Sequence, residues 1–503
     1  MKPSTFVSWF CAIALLILSV LMFTLESQYQ KLLTPFIVSL SVLFAFSWCV
    51  PLAKEKGRGG TDWFHPAVLF TGLYLVYFVF SGLWLWLHND YDSEFVDLGA
   101  NAAFVFNETF FLGFVSLAAY GLGARSRFAG FNLLRRRIPR SNIDHPAAEQ
   151  SRTINAKELL IVALVLFPLG LAFKIYHLAL FGALSTDILL YLSPSAAIEL
   201  GLNISQFVIM MESMLDWAAL LAILYVIVNY KKTGRWQGLW WVIGAVVVVA
   251  LLDYAISGKR SAVIFFIVLP VLWYHYLVKR LTARLAGALF LGLIFAIVIL
   301  LMGRIVLPLL IQGLVPTDYI GVNPLDVIAF YLDTGEISTF DMVAATIQRR
   351  DELLLQSGGT LLGFLQFTFS TLIIFVPRLI WPDKPAYLDL SHIYRRVLIG
   401  PEEDMGIAPT VWGAGYLFFG VAGFFVLMFI IGWVYESVYR YLRPRDAGVA
   451  NVALYSIAFW VIFQAIRFGT LGFVTVVIVQ SMLVGIVAIW YLGRRRKAAA
   501  ANL

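Results

Sequence analysis

Residues 239–280 read LWWVIGAVVVVALLDYAISGKRSAVIFFIVLPVLWYHYLVKR. Two apolar runs, 239–256 and 262–278, flank the turn Ser257-Gly258-Lys259-Arg260-Ser261. Each run is close to the ~20 residues that a helix needs to cross a hydrocarbon core of ~30 Å. Lipid offers no hydrogen bonds, so a spanning backbone must satisfy its own, as a helix or as a closed barrel. Strict alternation over ~10 residues, the mark of a barrel strand, is missing here. The stretch therefore reads as a hairpin of two membrane helices.

Outward from this hairpin the same pattern fills the chain. Hydrophobic residues make up 61% of the 503 positions and charged residues 13%. A soluble globular chain is roughly 25% charged, so half of the expected solvated surface is missing. That excludes a water-soluble enzyme, a disordered chain, a nucleic-acid-binding module and a secreted disulfide scaffold. Cys11 and Cys49 lie in apolar runs and define neither a disulfide framework nor a metal site. Twelve runs are expected to span: about 5–25, 33–52, 66–87, 102–123, 158–180, 204–229, 239–256, 262–278, 285–303, 408–434, 449–467 and 470–491. The first follows a weak charged region and reads as a retained anchor, not a cleaved signal. The expected fold is all-α, one polytopic membrane domain over 1–503, with no internal repeat.

Basic residues orient such a chain, because cytoplasmic loops collect Lys and Arg. With the N-terminus in the cytoplasm, the inward segments hold Lys2, Lys54–Arg58, Arg125–Lys157, Lys231–Arg235, Lys279–Arg284, Arg440–Arg445 and Arg494–Lys497. That side carries 25 of the 37 Lys and Arg but 7 of the 30 Asp and Glu. Residues 124–157 form a basic cytoplasmic loop, read as a topology signal beside anionic lipid. A further apolar stretch, 361–380, is not counted as a span. If it crossed, Arg440–Arg445 and the basic C-terminus would change sides. Residues 304–407 are therefore expected as one large periplasmic loop, with 361–380 a re-entrant or interfacial segment. A loop of this length in a short-looped protein is usually functional.

The informative cations are those on the side that the orientation rule disfavours. Lys259 and Arg260 share one five-residue outer turn, Arg304 ends the ninth run and Arg467 caps the hairpin of the eleventh and twelfth. The Lys259–Arg260 turn reads first as an anion site, with a headgroup contact or pairing with Asp253 as the alternative, while Arg304 and Arg467 each read equally as snorkelling side chains. Together they form four cations at one membrane level, suited to a large anion such as a diphosphate. Glu212 and Asp216 lie on one face of the sixth run, with Lys174 and His177 on the fifth. They read as a polar cavity or as a structural ion pair with Lys174, Arg304 or Arg467. In the outer loop, Val376-Pro-Arg378-Leu-Ile-Trp381-Pro-Asp-Lys384-Pro385 sets three prolines in a rigid, extended backbone. Trp381, Tyr387 and Tyr394 are expected to offer apolar faces to sugar rings, with Lys384, Arg395 and Arg396 as polar contacts. His392, beside Asp389, Arg395 and Arg396, reads as a general base or as an incidental histidine.

With these residues in place, the chain resembles the Wzy-type O-antigen (oligosaccharide repeat-unit) polymerases of bacterial inner membranes. The resemblance rests on the many-span layout, the outer SGKRS turn, the VPRLIWPDKP segment, and Ala408-Pro409-Thr410 followed by Gly413, Gly415, Tyr416 and Gly420. The turn departs from the Gly-Ser-Arg-like form, which leaves open whether Lys259 or Arg260 takes the arginine role. O-antigen ligases share the architecture. The resemblance implies a GT-C-like fold and metal-independent glycosyl transfer at the periplasmic face, without cofactor or nucleic acid. The donor is a glycan on undecaprenyl diphosphate. Membrane lipids, a chain-length regulator and a flippase are the further expected partners. Lys259, Arg260, Arg304, Arg378 and Arg467 are the candidates for holding the diphosphate, and His392, Asp253, Asp389 or Glu402 for taking the acceptor proton. A ligase acting on lipid A core and a flippase of lipid-linked sugar are the rival readings.

Overall fold

The computed structural model describes residues 3–24, 27–54, 61–88, 92–93, 96–97, 102–126, 154–180, 206–257, 260–292, 295–296, 339–365, 381, 390–398, 400, 410–442, 448–469 and 478–501. These are nearly all helical. Seven helices among them are long and apolar enough to cross a membrane: Thr34–Ala53, Pro66–Trp84, Val105–Arg125, Ala156–Tyr176, Val208–Thr233, Thr410–Leu442 and Val449–Arg467. Shorter apolar helices lie at Val7–Leu18, Leu239–Leu251, Val263–Leu277, Ala283–Gly292 and Leu483–Leu492. The protein is a helical membrane protein, and a helix falls on each of the twelve apolar runs. A two-stranded antiparallel hairpin is also present, β1 (Asp92–Ser93) with β2 (Val96–Asp97), pairing Asp92 with Asp97 and Ser93 with Val96.

The chain divides into two compact units. The first comprises 1–134, 328–440 and 462–475. It contains α1 (Pro3–Thr24), α2 (Ser27–Trp48), and α3 (Pro66–Tyr74), which passes through a π-helical turn (Leu75–Phe80) into α4 (Ser81–His88). α5 (Ala102–Arg125) follows. Aromatic rings fill the core between these helices. Phe70 stacks on Tyr120 with centroids 4.0 Å apart, and Trp412 meets Phe78 edge-on at 5.1 Å. Phe340 lies between Phe106 and Phe110, at 4.8 Å from each.

One end of this unit gathers helix termini that lead into basic segments. Arg125 donates to the carbonyls of Trp48 and Gly121 and lies 3.8 Å over the Trp48 ring. A cation there interacts favourably with carbonyls at the ends of α2 and α5. Arg440 donates to the Ala124 carbonyl at 2.9 Å and to Glu436 at 2.7 Å. His65 caps α3: its Nδ1 accepts from the Ala67 N–H, which leaves Nε2 facing Glu436 at 3.3 Å. Tyr439 donates to buried Asp62 at 2.6 Å. Ala53, Asp62, Ala124 and Arg440 thus lie at one end of the unit.

The second unit comprises 135–327, 441–461 and 476–503. α6 (Ala156–Leu180) and α7 (Gln206–Thr233) lie side by side, with Gly170 against the Leu215 backbone. α8 (Leu239–Ser257) and α9 (Arg260–Leu277) pack on them as the expected hairpin. α10 (Ala283–Gly292) follows. A second π-helical turn, Ile478–Met482, precedes the unit's last helix, Leu483–Ala501. Such a turn shifts the backbone ladder by one residue, and the Ser481 carbonyl accepts from Trp217 Nε1 at 2.6 Å.

Candidate functional site

The end of the first unit away from the basic segments holds the charged groups of most chemical interest. α11 (Thr339–Gln348), α12 (Arg350–Gln356) and α13 (Leu390–Leu398) come from the expected outer loop. Their buried residues, among them Met342, Leu353, Leu390 and Tyr394, form one apolar cluster with Leu417 and Phe418. Those last two belong to α14 (Thr410–Leu442). The loop helices therefore grip the start of a spanning helix.

That helix is broken where it is gripped. Gly420 has φ 60° and ψ −161°, a backbone region open essentially to glycine alone. The break interrupts the helical ladder and frees the Leu417 carbonyl, to which Arg350 Nε donates at 3.0 Å. The Arg350 guanidinium lies over the Tyr416 ring, 5.7 Å from its centroid, within cation–π range. Tyr416 donates its hydroxyl to Glu108 Oε1 of α5 at 3.1 Å. A cation and a carboxylate thus flank one phenol. No ion pair joins them among the described residues, and the terminal amino groups of Arg350 have no hydrogen-bond partner there. Arg350, Tyr416 and Glu108 are all partly exposed.

The beginning of α14 is strained as well. Thr410 has φ 54°, rare for a β-branched residue. Among the described residues its buried Oγ1 has no hydrogen-bond partner, and neither do Nε1 of buried Trp412 and Oε1 of buried Gln464. Gly469 sits directly against the Thr410 carbonyl, where a Cβ would not fit. Backbone strain and unspent polar atoms of this kind cluster at functional sites.

Comparisons with protein-family models, curated proteins and solved structures found no match. The candidate site stands on the chain's own geometry.

The residues picked from sequence are distributed unevenly over what is described. Lys259, Arg304, Arg378, Lys384, Tyr387, Asp389 and Glu402 lie outside the described residues. Asp253 is placed near the end of α8, Arg260 as the first residue of α9 and His392 within α13, but their side chains also lie outside what is described. Most of the expected re-entrant stretch, from 366 to 380, does too. Arg467 is partly exposed near the end of α15 (Val449–Phe468). Trp381 and Arg396 are exposed, and Arg395 is half-buried.

Tyr394 is not a platform for sugar. It is fully buried, and its hydroxyl shares a 2.8 Å hydrogen bond with Thr346 Oγ1. Burial pushes its phenol well above its ordinary value of 10.0, against the smaller effect of Thr346. The reason is the register of α13: Leu390, Ile393, Tyr394 and Val397 recur at helical spacing and form the face turned to the core. Of the carboxylates on α7, Glu212 is buried and pairs with Lys174 at 3.5 Å, one of the three partners open in sequence. Arg350 and Glu108 were not picked from sequence. A signal for Glu108 exists: it is the one charged residue of the run 102–123.

Proposed function

We propose that the protein polymerises oligosaccharide repeat units carried on undecaprenyl diphosphate, at the periplasmic face of a bacterial inner membrane. The chain is read with twelve spans, cytoplasmic termini and the 304–407 loop outside. One observation carries the reading: Arg350, bound by its Nε to the Leu417 carbonyl before the break in α14, holds two further N–H-bearing groups unspent among the described residues, beside Tyr416 and its partner Glu108. The leaving group of such a transfer is a lipid diphosphate, whose charge grows as the glycosidic bond breaks. A preorganised cation at a water-poor membrane edge stabilises that charge without reorganising. Arginine suits it through paired N–H donation to phosphate oxygens. Arg260, Arg467, Lys259, Arg304 and Arg378 stand as further diphosphate contacts, and the acceptor is a hydroxyl on a second lipid-linked repeat.

The test is reconstitution in nanodiscs with the lipid-linked repeat extracted from source cells deleted for this gene, without nucleotide or lipid A. The expected product is a ladder spaced by one repeat. Arg350→Ala is expected to slow the ladder by about 10²–10³-fold, the usual effect of removing one preorganised donor. No ladder from folded wild-type protein overturns the reading; transfer on adding lipid A core would make it a ligase, and glycan translocation a flippase.

A further inference from the structure

We propose that Glu108 is the general base that takes the proton of the attacking hydroxyl, with Tyr416 holding its carboxylate beside Arg350; this rests on the polymerase reading. Three observations on the site lead here. First, Glu108 and Arg350 are opposite charges at the tip and the face of the same phenol, yet no ion pair forms. Charges that merely stabilise a half-buried contact would be expected to meet, because an unpaired charge there costs free energy. Second, each is fixed by a separate contact. Arg350 is pinned through Nε to the Leu417 carbonyl, and Glu108 through Oε1 to the Tyr416 hydroxyl. Tyr416 is the hydrogen-bond partner of Glu108 among the described residues, so the second carboxylate oxygen keeps its accepting capacity. Third, the pinning groups are neighbours in sequence, the Tyr416 hydroxyl and the Leu417 carbonyl, set four and three residues before the glycine break in α14.

The hydroxyl tip and the ring face of the phenol thereby match the two ends of a displacement. The acceptor hydroxyl lies at Glu108 and gives it a proton as its oxygen bonds to the anomeric carbon of the donor. The bond from that carbon to the diphosphate oxygen breaks, and its electron pair leaves with the diphosphate, at Arg350. Glu108 ends protonated and loses that proton to water before the next turn. No metal, nucleotide or oxidant enters the balance.

A purely structural Glu108, tying α5 to α14, is separable from a base. In Glu108→Gln the amide oxygen still accepts from Tyr416, so a structural role survives and a base is lost. The experiment uses the full chain in nanodiscs. It measures binding of glycan-free undecaprenyl diphosphate, and the ladder rate against pH with the lipid-linked repeat. Expected are a Kd within twofold of wild type for Glu108→Gln, a rate at least 100-fold lower, and loss of the limb on which the wild-type rate rises with pH. Glu108→Asp is expected to keep that limb at reduced rate. Arg350→Ala is expected to weaken diphosphate binding at least tenfold. A Glu108→Gln rate within threefold of wild type overturns the assignment while leaving the polymerase reading intact. So does loss of binding in both Gln and Asp variants, which would make Glu108 a prop of the site. Failure of the wild type itself to build a ladder overturns the polymerase reading, and the base assignment with it.

Discussion

Lys174 and Glu212 meet at 3.5 Å with about a tenth of each side chain exposed. Removing one partner of a buried pair typically costs roughly 3–5 kcal/mol, whereas replacing both with apolar groups of similar volume is often neutral. Glu212→Gln is therefore expected to lower the melting temperature of the detergent-solubilised protein. The double change Lys174→Met and Glu212→Leu is expected to return it close to wild type, and an unchanged single variant would remove the pair's role. At this scale the sequence was partly legible. The four-residue spacing of Glu212 and Asp216 marked a polar face of α7, but its partner depended on which helix packs there, a tertiary fact. Tyr394 was misjudged for a related reason. A tyrosine among histidine and arginines looks exposed until the 390, 393, 394, 397 register is weighed, and that register buries it.

Two helices in the first unit touch backbone to backbone. A Cβ on Gly432 would strike the Tyr120 carbonyl, and one on Gly123 would strike that of Phe429. Small residues at a crossing allow close approach, and in lipid close packing replaces the hydrophobic effect as the force holding helices together. Gly432→Leu is expected to separate α5 from α14. The variant should melt lower and lose the Arg440 contact to the Ala124 carbonyl, read as faster amide exchange at the end of α5; wild-type melting would refute that view of the crossing. Helix positions were legible because about 20 consecutive apolar residues leave few alternatives. The break in α14 was not. At 33 residues this helix would run about 50 Å if straight, but glycine is common in membrane helices and nothing in the periodicity singles out Gly420. Nor does any sequence spacing place Arg350, 70 residues earlier, at that break.

For the molecule as a whole, the arrangement of sides is the expectation open to direct measurement. Both native cysteines are buried, so engineered ones label against a low background. Gln356→Cys, at an exposed position in the 304–407 loop, is expected to react with an impermeant maleimide on intact spheroplasts. Lys232→Cys is expected to react only after permeabilisation. The opposite pattern would invert the orientation. The expected side assignment rests on charge asymmetry, a summed property of many residues, while the site depends on a few long-range contacts. Those contacts also set a schedule for assembly. The Arg440 contact to Ala124 spans 316 residues and the Tyr416 contact to Glu108 spans 308. At about 5–20 residues per second, a ribosome takes on the order of 15–60 s to make the intervening chain. Through that interval α5 waits in the bilayer with its carboxylate unmatched, while α2 already has Arg125 to close its end. Biogenesis therefore has a long vulnerable stage, in which an insertase or lipid headgroups must shelter Glu108, and the site is completed only when one of the last helices arrives.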